Sequence, residues 1–335
     1  MKAVTKSQIS ILDFGVESIS DNLAVIMPIL FAKVQTVYIA YRQCYSKNPT
    51  VPSNKVATDV ATQACAQSSK WVRSFEDLSA GRPNLGTLFL DEHGVPTKFT
   101  SVTELEDNKN KCIYKDADAE FNTALKEYVL NGDEYKAIYD YVENHPEYSN
   151  FFSMCWFIKK HINHESPLEH LSFSVRITDV SRAMTHQWVR SRIAAHSQQS
   201  QRYVKCTEDD TYVIPPTVNR DFSAKTIFNN TIEYVESQIK KLKELGIPDE
   251  DIRYLYPNAF SSQIVTTMNL RNWMHFFNER CCTRAQTEIR VTAWKILNKF
   301  SILLPFILDD AGPKCVKNKR CPESKPCNFE KSFIK

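Results

Sequence analysis

Residues 187–203 read Gln-Trp-Val-Arg-Ser-Arg-Ile-Ala-Ala-His-Ser-Gln-Gln-Ser-Gln-Arg-Tyr. The stretch opens like an amphipathic helix and closes on a run with no apolar residue between His196 and Arg202. Three arginines, three serines and four glutamines share it. Guanidinium forks and hydroxyls at that density suit phosphate and carboxylate oxygens. A spacing of three would put Gln187 and Arg190 on one helix face with Arg192 pointing elsewhere, so one segment would address two anionic groups. Composition alone favours a plainer reading, a solvated arginine-rich helix end followed by a polar loop.

Upstream, Phe151, Met154, Ile158 and Ile162 make an apolar stripe at helical spacing. Residues 164–170, His-Glu-Ser-Pro-Leu-Glu-His, then form a loop. Pro167 prevents a regular helix from presenting the two histidines as metal ligands, and no metal is expected. Residues 171–177 alternate like a half-buried strand. Asp179 or Ser181 would cap the helix carrying Gln187 and Arg190.

Downstream, Pro215-Pro216 breaks the chain. Phe228, Ile232, Val235, Ile239 and Leu242 form one helical face, and Gly246 is a natural stop. Residues 248–251 open a short helix bearing Arg253. A last long helix is expected from 267 to just before Pro305. Leu270, Met274, Phe277, Cys281, Ala285, Ile289 and Ile296 would face the core, and Asn269, His275 and Arg280 would line a pocket beside them. Arg280 and Arg284, four apart, would repel on that helix, with Glu288 relieving Arg284.

Across 335 residues the net charge of +3 is too small to argue for nucleic acid, and the sequence has no concentrated stripe of Lys and Arg. Seven glycines include no phosphate loop or dinucleotide fingerprint. No uninterrupted apolar run reaches eighteen residues, so no membrane span is expected. The short run 23–32 lacks a signal peptide's basic start and contains Pro28. Ten cysteines without a secretion signal suggest reduced thiols and a cytoplasmic location. Cys315, Cys321 and Cys327 are each six apart, wider than zinc-knuckle pairs. We divide the chain into an entering segment (1–48), an insertion or divergent outer layer (49–140, helical over 55–75 and polar and acidic to Asp118), a core (141–308) and a Cys/Lys-rich tail (309–335).

Arg190-Ser191-Arg192, seven residues, then Ser200-Gln201-Arg202 resembles the Arg-His-Arg…Ser signature of the flavin-dependent thymidylate synthase (ThyX) family. The blocks at 164–170 and 269–290 resemble the family in the same order, and 37–46 resembles its N-terminal strand-to-helix segment. The resemblance covers roughly 37–48 and 142–300. It implies an α+β fold, long helices packed on an antiparallel sheet, and a homotetramer whose sites are shared between subunits. It implies reductive methylation of dUMP to dTMP with FAD, NADPH and methylenetetrahydrofolate. For dUMP it implies Gln187, Arg190, Gln198, Ser200, Gln201, Arg202, Arg253 and Arg280, with Arg280 as the catalytic residue at the uracil. Gln187 and Arg190 would come from a neighbouring subunit. For FAD it implies His164, Ser166, Arg190, Ser191, Arg192, Asn269, Arg271 and His275. Four positions depart from the pattern. Ser191 stands where the signature has histidine, Gln198 where glutamate is usual, His275 where asparagine is common and Arg284 where histidine is common. They leave open a relative acting on another pyrimidine nucleotide, or a silent flavin or nucleotide binder.

Overall fold

The computed structural model describes residues 2–4, 7–13, 19–45, 88–90, 96–98, 124–127, 129–203, 211–318 and 320–327. In chain order, strands β1 (Lys2–Val4) and β2 (Gln8–Ile11) lead to helix α1 (Leu23–Tyr45). Strands β3 (Leu88–Leu90) and β4 (Pro96–Lys98) pair as antiparallel neighbours, and the expected helix over 55–75 lies outside the described residues. Helices α2 (Asp133–Glu143) and α3 (Phe151–His161) follow, then β5 (Ser172–Ser181), α4 (Arg182–Trp188), β6 (Ala195–Gln198) and β7 (Thr211–Val213). The remainder is α5 (Pro216–Arg220), α6 (Phe222–Glu244), α7 (Asp249–Ile252), β8 (Ser261–Asn269), α8 (Leu270–Arg280), α9 (Thr287–Leu303) and α10 (Lys314–Asn318).

Four strands form an antiparallel sheet in the order β2-β5-β8-β6. The alternation read at 171–177 has its cause here: Phe173, Val175 and Ile177 point into the core while Ser174 and Arg176 point away. The buried face meets long helices, which is the α+β arrangement expected. Phe173 packs on Phe300 of α9 at 4.6 Å, and Trp273 of α8 meets Phe300 edge-on at 5.3 Å. Burying rings of this size contributes roughly 1.5–3 kcal/mol each. Gly246 ends α6 at φ +77°, with the amides of Gly246 and Ile247 bonded back to the carbonyls of Lys243 and Leu242. Only a residue without a Cβ adopts that left-handed turn at no cost.

Several expectations are corrected. Among the described residues no strand occupies 37–45; those residues continue α1 to Tyr45, and the strand preceding that helix is β2. By length and composition Ser20–Tyr41 is apolar enough to cross a membrane. Counting uninterrupted apolar residues missed it, because Lys33 and Gln35 interrupt the run. Its Ile26, Met27, Leu30, Val34 and Val37 are nevertheless fully buried in this chain's own core, and Tyr38 stacks edge-on with Phe157 of α3 at 5.0 Å. Lys33 is held by Asp13 at 3.0 Å. Helix α3 is buried all round from Phe151 to Ile158 rather than along one stripe, because α1 covers its second side.

The single long helix over 267–304 is three elements. Residues 267–269 belong to β8, where Ser262, Ile264, Thr266 and Met268 alternate inward. Asn269 then caps α8, its side-chain oxygen accepting from the Asn272 amide at 2.9 Å. Helix α8 stops at Arg280, and the carbonyls of the turn that follows find partners from α9. Trp294 Nε1 donates to the Cys281 carbonyl at 3.1 Å, and Arg290 donates to those of Thr283 and Ala285. Arg280 and Arg284 therefore do not share a helix. Arg284 pairs with Glu323 at 3.1 Å, while Glu288 serves Ser181 instead.

Candidate functional site

The stretch 187–203 is a helix end, a turn and an edge strand. A bulge in β5 with Asp179 at φ +57° turns the chain so that Ser181, rather than Asp179, caps α4, accepting from the Met184 amide at 3.0 Å. Glu288 of α9 fixes this corner, accepting from the Ser181 amide at 2.7 Å and hydroxyl at 2.5 Å. The helix ends at Trp188, so the shared helix face expected for Gln187 and Arg190 is not formed; Arg190 sits in the following turn. Tertiary forces end it. Trp188 is fully buried against Phe276, and residues 195–198 must reach β8 to pair as β6.

A chain of hydrogen bonds pins the arginine turn between these elements. Trp188 Nε1 donates to Thr266 Oγ1 at 2.8 Å, and that hydroxyl lies 2.9 Å from His196 Nδ1. His196 Nε2 lies 2.9 Å from the Ser191 carbonyl. A carbonyl only accepts, so Nε2 carries the proton and Nδ1 takes the Thr266 hydroxyl hydrogen. Every donor and acceptor then has a partner, and Ser191 is fixed between exposed Arg190 and Arg192. Gln198 donates to Thr185 Oγ1 at 2.7 Å, tying β6 to α4.

Two groupings of site residues emerge. The first surrounds a cavity of about 450 Å³ lined by Asn269, Arg271 and His275 together with Glu165, Glu169 and Ile193. His164 and Ser166 stand beside it on the 164–170 segment, bonded to each other at 3.0 Å. That segment is a short tight helix over Ser166–His170 rather than an open loop, with Pro167 in its first turn. Arg271 is pinned by Glu169 and by Glu165 at 3.2 Å. Burial pushes the Glu165 carboxyl up, but the bonds and charges of Lys317 and Arg271 outweigh it and hold the group below the usual carboxylate range. The second grouping lies near α7. Arg202 approaches the Glu250 carboxylate at 3.6 Å, and Arg253 Nε donates to the Glu250 carbonyl at 3.0 Å. Ser200 is next to it, accepting from the Arg202 amide. Gln187 is drawn away to Gln286. Half-buried Arg280 has no hydrogen-bond or ion-pair partner among the described residues.

The family model described as thymidylate synthase complementing protein matches residues 112–306. The chain belongs to the flavin-dependent thymidylate synthase family. A flavin-dependent thymidylate synthase of Nitratidesulfovibrio vulgaris is 47% identical over 168 residues, which is 48% of this chain and 68% of the relative. Those of Clostridium tetani and Pyrococcus abyssi are 42% and 43% identical, over 48% of this chain and 70% and 68% of the relatives. The chain is thus an enzyme, a transferase of this flavin-dependent family. The matched segment holds every candidate site residue and starts before the boundary of 141 read from the sequence.

The first cavity fits a flavin nucleotide. Leu168, Ile193 and Met274 offer apolar surface, Asn269, Asn272 and Asn278 offer amides, and Arg271 with Lys317 offers cationic donors to phosphate. Glu165 and Glu169 can accept from ribose hydroxyls, as carboxylates do in dinucleotide sites. Sequence reading missed Lys317, which carried no signal because it stands outside the resembling blocks. Glu165 and Glu169 were visible only as members of the 164–170 block. Among the described residues, no three His, Cys, Asp or Glu side chains are grouped to hold a metal ion.

Proposed function

We propose that the enzyme converts dUMP to dTMP, using FAD, NADPH and methylenetetrahydrofolate. The observation that carries this is the gathering of Asn269, Arg271 and His275 with the 164–170 segment around one cavity of mixed acidic, basic and apolar lining. FAD would supply hydride chemistry and mediate one-carbon transfer, and the protein's part is placement and electrostatics. Asn269, Arg271 and His275, with His164, Ser166 and the Arg190-Ser191-Arg192 turn, would hold the cofactor.

For dUMP, Arg202 and Arg253 would leave Glu250 to take the phosphate, assisted by Ser200 and Gln201. Arg280 would face the uracil, where a cation stabilises negative charge developing on the ring most strongly once water is excluded. Its lack of a partner among the described residues supports that role. Gln187 and Arg190 would be supplied by a neighbouring subunit of a homotetramer. Gln198, bonded to Thr185, would present its remaining amide atoms to the nucleotide.

The test is NADPH oxidation by the FAD-loaded protein with methylenetetrahydrofolate, with and without dUMP, and dTMP followed by chromatography. Formation of dTMP that falls by about a hundredfold or more in Arg280→Ala is expected, the scale of losing one oriented charge at a reacting centre. Bound FAD with no dTMP would overturn the reaction and favour a relative acting on another pyrimidine nucleotide.

A further inference from the structure

The flavin cavity is not closed by the family-matched segment alone. Asp310, Ala311 and Lys317 also line it, and all three follow residue 306, where the family match ends. We propose that this C-terminal segment supplies Lys317 as a further cofactor-binding side chain, donating to a phosphate of the dinucleotide beside Arg271. The inference rests on the reading of this cavity as the flavin site.

The geometry supports it in three ways. Lys317 Nζ lies 3.2 Å from one oxygen of Glu165, and Arg271 Nε lies 3.2 Å from the other. The two cations are therefore brought to one carboxylate, close enough to address adjacent anionic oxygens of a single ligand. Lysine acts on phosphate as a mobile point charge, complementing the fixed fork of arginine. Next, Lys317 is not needed to keep the segment in place. Lys314 pairs with Glu279 at 2.6 Å, Asp310 with Lys159 at 2.7 Å, and Arg284 holds both Glu323 and the Lys325 carbonyl. Exposed pairs such as Lys317–Glu165 add little to docking, so swapping the carboxylate for a ligand phosphate is a small perturbation. Lastly, the lining sets three carboxylates, Glu165, Glu169 and Asp310, against Arg271 and Lys317, so removing Lys317 tilts it further against an anionic cofactor.

The test is FAD affinity of the full chain by flavin fluorescence titration, which does not depend on turnover, at low and high KCl. Lys317→Ala is expected to raise the FAD dissociation constant by about fivefold to tenfold, the effect of one partly exposed charged hydrogen bond. Lys317→Arg should restore most of the affinity. The wild type should lose more affinity with KCl than Lys317→Ala, since one screened charge has been removed. Lys314→Ala, which loosens the same segment outside the cavity, should bind FAD like the wild type. Unchanged affinity in Lys317→Ala beside a large loss in Arg271→Ala would overturn the inference and leave the flavin site standing. Equal losses in Lys317→Ala and Lys314→Ala would also overturn it, reducing the effect to segment docking. Wild-type protein that binds no FAD would overturn the flavin reading and this inference with it.

Discussion

Thr266→Val tests the link between core and site most directly. Thr266 is fully buried, and its hydroxyl accepts from Trp188 Nε1 while donating to His196. Valine keeps the shape and removes both bonds. The indole N–H and the imidazole Nδ1 would then be buried without partners. Each unsatisfied group costs about 1–3 kcal/mol, and His196, only half-buried, can recover part of its loss from water. The expected destabilisation is about 2–3 kcal/mol, measured by urea unfolding with unchanged slope. Thr266→Ser, which keeps the hydroxyl and loses one methyl group, should cost only about 1 kcal/mol. Because the same bonds fix Ser191, the valine variant should also bind flavin more weakly while the serine variant does not. A Thr266→Val protein within about 0.5 kcal/mol of the wild type, or a serine variant worse than the valine one, would refute the relay.

Further outcomes are expected. The Glu165 carboxyl is held below its ordinary value, so its contribution to stability is full above the unfolded value of about 4.3 and is lost as pH falls through the lower folded value. Thermal melts should therefore show the wild type more stable than Glu165→Gln at pH 6, with the gap closing in the acid range below about pH 4; a gap that widens there would contradict the assignment. Burial pushes the Cys281 thiol up to about 12 and raises that of Cys155 as well. Iodoacetamide at pH 8 should label exposed Cys44 and Cys327 in the native protein and spare Cys155 and Cys281, as peptide mass spectrometry would reveal.

The alternation at 171–177 and the turn at Gly246 were readable because each depends on local chemistry: side-chain period two and a left-handed glycine. The break between α8 and α9 was not. Helical spacing continues across Cys281 and Ala285, and what interrupts it is that Arg290 and Trp294 of α9 fold back onto the carbonyls of that turn. The same holds for residues 187–190, where helical periodicity persists but Trp188 has a better place against Thr266. In the site, the arginines of 190–202 drew attention through their density. Lys317 did not, because only the folded chain brings residue 317 beside residue 165.

Phe306 adopts φ +66°, a left-handed turn that a bulky aromatic enters at a cost of roughly 1–2 kcal/mol. The cost is offset by burial against Trp156, edge-on at 5.3 Å. This residue is also the last one matched by the family model. Phe306 is therefore a natural splice point. A chimera joined there would inherit the reversal and its aromatic anchor whole, while the segment beyond, which carries the contact proposed for Lys317, is exchanged.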